Sequence, residues 1–270
     1  MKVVLFCGGL GTRLRDYSTV TPKPLASIGY RPLLWHVMKY YAHFGHTDFL
    51  LCLGYKGDMI KRYFLDYEES LSNDFVLDCR DRKVELCHRD IDDWRITFAE
   101  TGLTSNIGQR LLAVKDYLNN DDVFLANYSD GLTDFPLPQL IEEFYRREAV
   151  GMFLSVRPNF SGHFLRCASD GRVLSVDDVV RANARINGGF FIFSKKIFDY
   201  VQPGDELVEA PFQRLIDEGR LYTCEYDGFW RCMDTFKDLQ ALETLMSTGS
   251  PPWALWEQDR ANAPHSTAQR

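Results

Sequence analysis

Nowhere in this 270-residue chain do apolar residues run for the roughly twenty positions that a membrane span needs. The opening "MKVVLFCGG" is too short for a secretory signal before it meets glycine. A basic excess is also missing. Thirty-one Lys and Arg stand against 38 Asp and Glu, a formal charge of −7, which argues against a nucleic-acid partner but leaves room for a local basic pocket. No CxxC pair occurs among Cys7, Cys52, Cys79, Cys87, Cys167, Cys224 and Cys232, and most of them fall in apolar runs. They are therefore expected to be reduced core thiols of a cytoplasmic protein. The six histidines show no metal-ligand spacing, and no internal repeat is visible.

What is present is a series of short, continuous apolar runs: Val3 to Phe6, Phe49 to Leu53, Val123 to Ala126, Met152 to Val156 and Phe190 to Phe193. Continuous rather than alternating runs suit strands buried on both faces of a mainly parallel sheet. Helical spacing lies between them. It follows Pro32 (Leu33, Leu34, Val37, Tyr40, Tyr41), then recurs at Ile60, Tyr63, Phe64 and Tyr67, and again at Ile107, Leu111, Val114 and Leu118. A fourth helix carries Leu137, Leu140, Ile141, Phe144 and Tyr145, with Asp134 as its expected N-cap. Strands alternating with helices predict an α/β, three-layer architecture. Residues 71–105 read as a polar, irregular excursion, and residues 258–270 as a disordered tail.

The first strand runs into "CGGLGTRL". Ligands of open α/β sheets bind beyond the carboxyl ends of the strands, where glycines let backbone N–H groups approach an anion. No GK[ST] follows, so this is not a Walker A loop, and Leu14 occupies the third glycine position of a dinucleotide fingerprint. A tight structural turn accounts for the loop alone equally well. The next segment, "TPKP", holds Lys23 between two prolines, a stiff support for an ammonium group.

"GGLGTRL" followed by "PKP" resembles the sugar-1-phosphate nucleotidyltransferases. The likeness continues in order through "PLLWHVMKYY", "GYKGDMIKRYF", "ETGLTSNIGQRL", "YSDG", "INGGFF", "FWRCMDTFKDL" and "PPWALWE", as in the branch that makes CDP-sugars from glucose 1-phosphate. It covers residues 1–257 and implies one Rossmann-like nucleotidyltransferase domain with a mixed, mainly parallel sheet. Its nucleotide part would span about residues 1–130 and its sugar part about 131–257. The implied reaction joins an NTP, CTP by this likeness, to a sugar 1-phosphate by in-line attack on the α-phosphorus, releasing pyrophosphate. It implies Mg²⁺ as cofactor, no membrane and a homo-oligomer. The same chemistry on another acceptor or nucleotide, or a weakly active homologue that binds nucleotide sugars, are the alternatives.

The resemblance also implies roles. Gly8, Gly9, Gly11 and Thr12 would cradle the nucleotide, Arg13 would hold the β- and γ-phosphates, Lys23 would sit at the α-phosphate, and Arg110 would help bind the nucleotide. Arg13 and Lys23 would be catalytic. Asp130 and Asp234 would hold Mg²⁺, although alone an Asp-Gly turn and a helix N-cap explain them. Tyr128, Asn187, Gly188 and the surroundings of Trp230 would face the sugar, Asn-Gly being also a common hairpin turn. One departure is clear. The family's Glu-Lys-Pro before Asn-Gly-Gly, whose lysine meets the acceptor phosphate, is replaced within "SVDDVVRANARINGG". Asp177 or Asp178 stands for the glutamate and no lysine follows, so either Arg181 or Arg185 compensates or the preferred acceptor differs from glucose 1-phosphate.

Overall fold

The computed structural model describes residues 1–9, 21–158 and 162–257. The expectations for Gly11, Thr12, Arg13 and the tail lie outside the described residues. One eight-stranded sheet is built from β1 (Val3–Phe6), β2 (Asp48–Leu53), β3 (Arg95–Glu100), β4 (Val123–Tyr128), β5 (Gly151–Val156), β6 (Ile186–Asn187), β7 (Phe191–Ser194) and β8 (Leu221–Tyr226). β1 is central and parallel to both neighbours, with Leu5 opposite Leu51 of β2 and Asn127 of β4. β3 extends the sheet parallel to β2. On the other side β7 runs antiparallel between β4 and β5. β6 shares that edge of β5, whose second edge carries β8 in parallel. Only β6 and β7 oppose the common direction, so the sheet is mixed and mainly parallel.

The described helices are α1 (Leu33–His43), α2 (Gly57–Leu65), α3 (Ile107–Ala113), α4 (Leu137–Arg146), α5 (Ala210–Asp217) and α6 (Phe236–Ser247). Alternate residues of the central strands feed two cores. Val3, Leu5 and Leu51 pack with Leu34 and Met38 of α1, Ile60 of α2, Leu140 of α4 and Leu242 of α6. Val4, Phe6 and Leu50 pack with Leu111 of α3 and Phe212 of α5. Helices thus cover both faces, and the strands need apolar residues at every position, which is why they read as unbroken runs.

Four expectations change. Residues 71–105 are not merely an excursion. They hold an exposed hairpin, Phe75–Asp78 against Lys83–Leu86, and then edge strand β3. Asp134 does not cap α4, whose N-cap position is Pro136; its carboxylate instead accepts hydrogen bonds from the Phe229 N–H at 3.0 Å and from the Tyr226 hydroxyl. Asn187-Gly188 does not close a hairpin, because β6 and β7 follow one another along the same edge of β5. Cys79, Cys87 and Cys167 are exposed rather than core residues, while Cys7 and Cys52 are buried; all seven cysteines are free.

The segment "PPWALWE" returns to α1 through a buried histidine. His36 Nδ1 lies 3.3 Å from Trp253 Nε1, and its Nε2 lies 3.0 Å from the Ile28 carbonyl. An indole nitrogen only donates, so Nδ1 accepts and Nε2 carries the proton. Protonating Nδ1 would set two N–H groups against each other. Burial lowers the His36 pKa to about 4, against about 6.5 for an unfolded histidine. The unfolded chain therefore binds an extra proton between those values, and stability falls as pH drops from about 6.5 towards 4, by at most about 1.4 kcal/mol per pH unit. We expect the melting temperature of the native protein to decline from pH 7.5 to pH 5 more steeply than that of His36→Leu. Equal slopes would show that His36 is not the titrating group.

Candidate active site

The carboxyl ends of β1 and β4 open side by side, as parallel pairing requires. At the end of β1, the chain turns through Gly8 and Gly9. A Cβ on Gly8 would lie 2.2 Å from Arg110 Cζ, and one on Gly54 would lie 2.8 Å from an Arg110 Nη. Close approach of a guanidinium therefore dictates both glycines. Arg110 is placed by α3, whose N-terminus is a reciprocal cap between Asn106 and Gln109. Its guanidinium donates to the carbonyls of Gly8 at 2.8 Å, Leu53 at 3.0 Å and Gly102 at 2.9 Å, and to Thr101 Oγ1 at 2.7 Å. Arg110 thus props the glycine turn from beneath. Burial of Cys7, beside it, raises that thiol to about 12 and keeps it neutral.

At the end of β4, Ser129 donates to the Phe6 carbonyl at 2.9 Å and ties the two strand ends together. Asp130 follows. A short ribbon then pairs Gly131–Thr133 with Trp230–Cys232, Gly131 opposite Cys232. This ribbon, with the Met233 N–H donating to the Asp130 carbonyl at 2.9 Å, brings Asp234 beside Asp130. The N-cap of α6 is Thr235, in a reciprocal cap with Asp238, so the Asp234 side chain is not consumed as a cap.

Lys23 binds both acids. Its Nζ donates to Asp130 Oδ2 and to Asp234 Oδ1, each at 2.7 Å. Lys23 begins a 3₁₀ turn, Lys23–Leu25, with Pro22 and Pro24 holding the backbone on either side. Burial disfavours the ammonium, but the two carboxylates outweigh it and hold the Lys23 pKa above its ordinary value. One oxygen each from Asp130 and Asp234 and the Cys232 sulfur lie within 4.8 Å of one another. Burial first, and then the Asp130 charge, raise the Cys232 thiol. Two hard carboxylate oxygens around a point that already accommodates a cation are a donor set suited to Mg²⁺.

Two cavities meet at this ion cluster. One, of about 210 Å³, is lined by Gly8, Gly9, Lys23, Arg110, Tyr128 and Asp130, and also by Asn106 and Glu206. The second, about 550 Å³, is lined by Trp230, Arg231, Cys232, Asp234, Lys237 and Asp238 among others. Tyr128 and Trp230 connect them to the β6–β7 turn: Asn187 Nδ2 donates to the Tyr128 hydroxyl at 3.3 Å, and Trp230 Nε1 donates to the Gly188 carbonyl at 2.8 Å.

A family model described as nucleotidyl transferase matches residues 2–246. The chain belongs to the nucleotidyl transferase family. Glucose-1-phosphate cytidylyltransferases of Salmonella typhi and Salmonella typhimurium are 37% and 36% identical to it, over 95% of this chain and all of each relative. The crystal structure of HddC from Yersinia pseudotuberculosis superimposes with a TM-score of 0.62 at 19% identity, covering 91% of this chain and 99% of that one. The fold is therefore that of the nucleotidyltransferases.

Of the expected site residues, the structure gathers Gly8, Gly9, Lys23, Arg110, Tyr128, Asn187, Gly188, Asp130 and Asp234 around the two cavities and their junction. It does not bring Asp177, Asp178, Arg181 or Arg185 to the lining of either cavity. Asp177 ends the outer hairpin strand Val173–Asp177, opposite Phe164. Asp178 accepts from the Arg181 N–H at 2.7 Å within a local turn. An Arg185 Nη lies 3.0 Å from both Glu225 and Asp227, so its charge is offset there. Cys232, Arg231 and Lys237, which the sequence reading did not single out for the site, line the larger cavity. Their only signal is proximity to Asp234 within "WRCMDTFK".

A divalent ion held by Asp130 and Asp234 would have to displace Lys23 from the same two carboxylates. Lys23→Met should therefore bind Mg²⁺ more tightly than the parent in the absence of nucleotide, by about tenfold, while turnover falls. Calorimetric titration with Mg²⁺ reads this directly; unchanged affinity would show that Lys23 does not compete for the acids.

Proposed function

We propose that this nucleotidyltransferase joins CTP to glucose 1-phosphate, forming CDP-glucose and pyrophosphate with Mg²⁺ as cofactor. The observation that carries the reading is the cluster of Lys23, Asp130 and Asp234, whose members line two neighbouring cavities. The named relatives support the choice of base and acceptor. Residues up to about 130 supply the nucleotide side, including Gly8, Gly9 and Arg110. Residues from about 131 to 257 supply the sugar side, including Asn187, Gly188 and Trp230, with Tyr128 between the two.

The reaction asks little covalent work of the protein. A phosphate oxygen of the sugar 1-phosphate forms a bond to the α-phosphorus, and the bond to the pyrophosphate oxygen breaks. The protein must align two polyanions that repel one another and offset the charge that develops. Asp130 and Asp234 would hold the divalent ion, which when bound neutralises phosphate charge and orients the phosphates. Lys23 Nζ, which here bridges the two acids, would supply a second positive charge to the phosphates from a backbone stiffened by Pro22 and Pro24. Arg110 fixes the glycine turn against which the nucleotide lies. Trp230, its nitrogen anchored on Gly188, offers a flat wall to a sugar ring.

A panel of NTPs and sugar 1-phosphates, assayed for pyrophosphate release, tests the reading. CTP with glucose 1-phosphate should be the best pair, and Asp130→Asn and Asp234→Asn should each lose at least a hundredfold in kcat while remaining folded. Failure of every pair, or near-normal rates in both variants, would contradict it.

A further inference from the structure

The turn between β6 and β7 holds two left-handed residues in a row. Gly189 has φ +77° and Phe190 has φ +54°. Glycine adopts that region freely, but a bulky aromatic residue keeps it only where its surroundings impose it. Two groups do so. The Phe190 ring is buried, stacked on Tyr41 with centroids 6.1 Å apart and edge-on to Tyr40 at 5.2 Å. The Phe190 N–H donates to Asn127 Oδ1 at 2.9 Å. Asn127 follows the apolar run of β4 directly and is itself buried, where a polar side chain needs such a partner. Gly189 is fitted to the same oxygen: a Cβ there would lie 2.4 Å from Asn127 Oδ1.

This turn supports a wall of each cavity. Its Gly188 carbonyl accepts from Trp230 Nε1, and Trp230 lines the larger cavity. Its Asn187 meets the Tyr128 hydroxyl, and Tyr128 lines the smaller one. The two attachments are unequal. Tyr128 belongs to β4 and is held by the ladder to β1, opposite Phe6. Trp230 stands on a two-stranded ribbon outside the main sheet, so the bond to Gly188 fixes its ring against that sheet. Asn127 lines neither cavity.

We infer that Asn127 is a positioning residue for the acceptor: it holds Phe190 left-handed, which sets the Gly188 carbonyl and, through it, the Trp230 wall. The inference rests on the reading of the larger cavity as the sugar side, and its test separates the two. Asn127→Leu removes the accepting oxygen at similar volume, and Asn127→Asp keeps it. Gly189→Ala pushes a methyl against the same oxygen and tests the contact from the other side should Asn127→Leu fail to fold. In the full chain, Asn127→Leu and Gly189→Ala should each raise the KM for glucose 1-phosphate about tenfold, read by pyrophosphate release. The KM for CTP should stay within about twofold, and Asn127→Asp should keep the acceptor KM within about threefold of the parent. General loosening of the fold would raise both KM values. Added to Trp230→Phe, which has no indole N–H to anchor, Asn127→Leu should cost less than about twofold more, because both losses share one route.

A second readout needs no turnover. The emission of Trp230, taken as the difference between each protein and its Trp230→Phe counterpart, should shift in Asn127→Leu and Gly189→Ala and stay in place in Asn127→Asp. An unchanged acceptor KM in folded Asn127→Leu or Gly189→Ala would overturn the inference. So would equal rises in both KM values, full additivity with Trp230→Phe, or an Asn127→Asp protein as impaired as Asn127→Leu. If the native protein releases no pyrophosphate from any pair, the functional reading fails instead. A shifted Trp230 emission would then still support the positioning role, and an unmoved one would overturn it.

Discussion

Three charged residues, at positions 23, 130 and 234, meet through two contacts of 2.7 Å, and the rest of the site depends on that meeting. Two carboxylates with oxygens this close repel each other strongly unless a cation stands between them. Lys23 does so here. Its side chain is 15% exposed, against 25% for Asp130 and 42% for Asp234. Water therefore screens the cluster only in part, and the interaction keeps much of its strength. An arrangement that needs a cation is suited to a reaction whose substrates are polyanions.

The fold supplies the meeting from separate directions. β1 and β4 end together because they pair in parallel, and Ser129 on Phe6 fixes their ends. The Trp230–Cys232 ribbon brings Asp234 across from a stretch about a hundred residues later. The Pro22 and Pro24 frame aims Lys23 with little backbone freedom to lose. Each device is local, cheap in sequence, and independent of the others. A single substitution in any of them should therefore disturb the cluster without dismantling the sheet.

Much of this was legible in the sequence, for physical reasons. β1, β2, β4, β5 and β7 announced themselves because both of their faces are buried. β3 and β8 did not, because edge strands such as "RITFAE" and "LYTCEY" carry polar residues on their exposed sides. Gly8 and Lys23 stood out because a glycine turn after a buried strand and a proline-framed lysine have distinct local chemistry, whereas Asp130 and Asp234 were expected only from the resemblance, since alone an Asp-Gly turn and a helix N-cap explain them. Arg181 and Arg185 misled because proximity in sequence to Asn187 says nothing about where a charge is neutralised; Glu225 and Asp227, which hold Arg185, come from a different strand. Arg231 and Lys237 could not be placed from the sequence for the same reason. Only the folded ribbon and the start of α6 show that they share a cavity with Asp234.

The most direct test of the account is where a divalent ion binds. Crystals grown with Mn²⁺ and a non-hydrolysable CTP analogue would locate the ion by its anomalous scattering. The account predicts one Mn²⁺ coordinated by carboxylate oxygens of both Asp130 and Asp234, with Lys23 Nζ moved off the acids and onto the nucleotide phosphates. An ion bound elsewhere, with Lys23 still bridging the two aspartates, would contradict it.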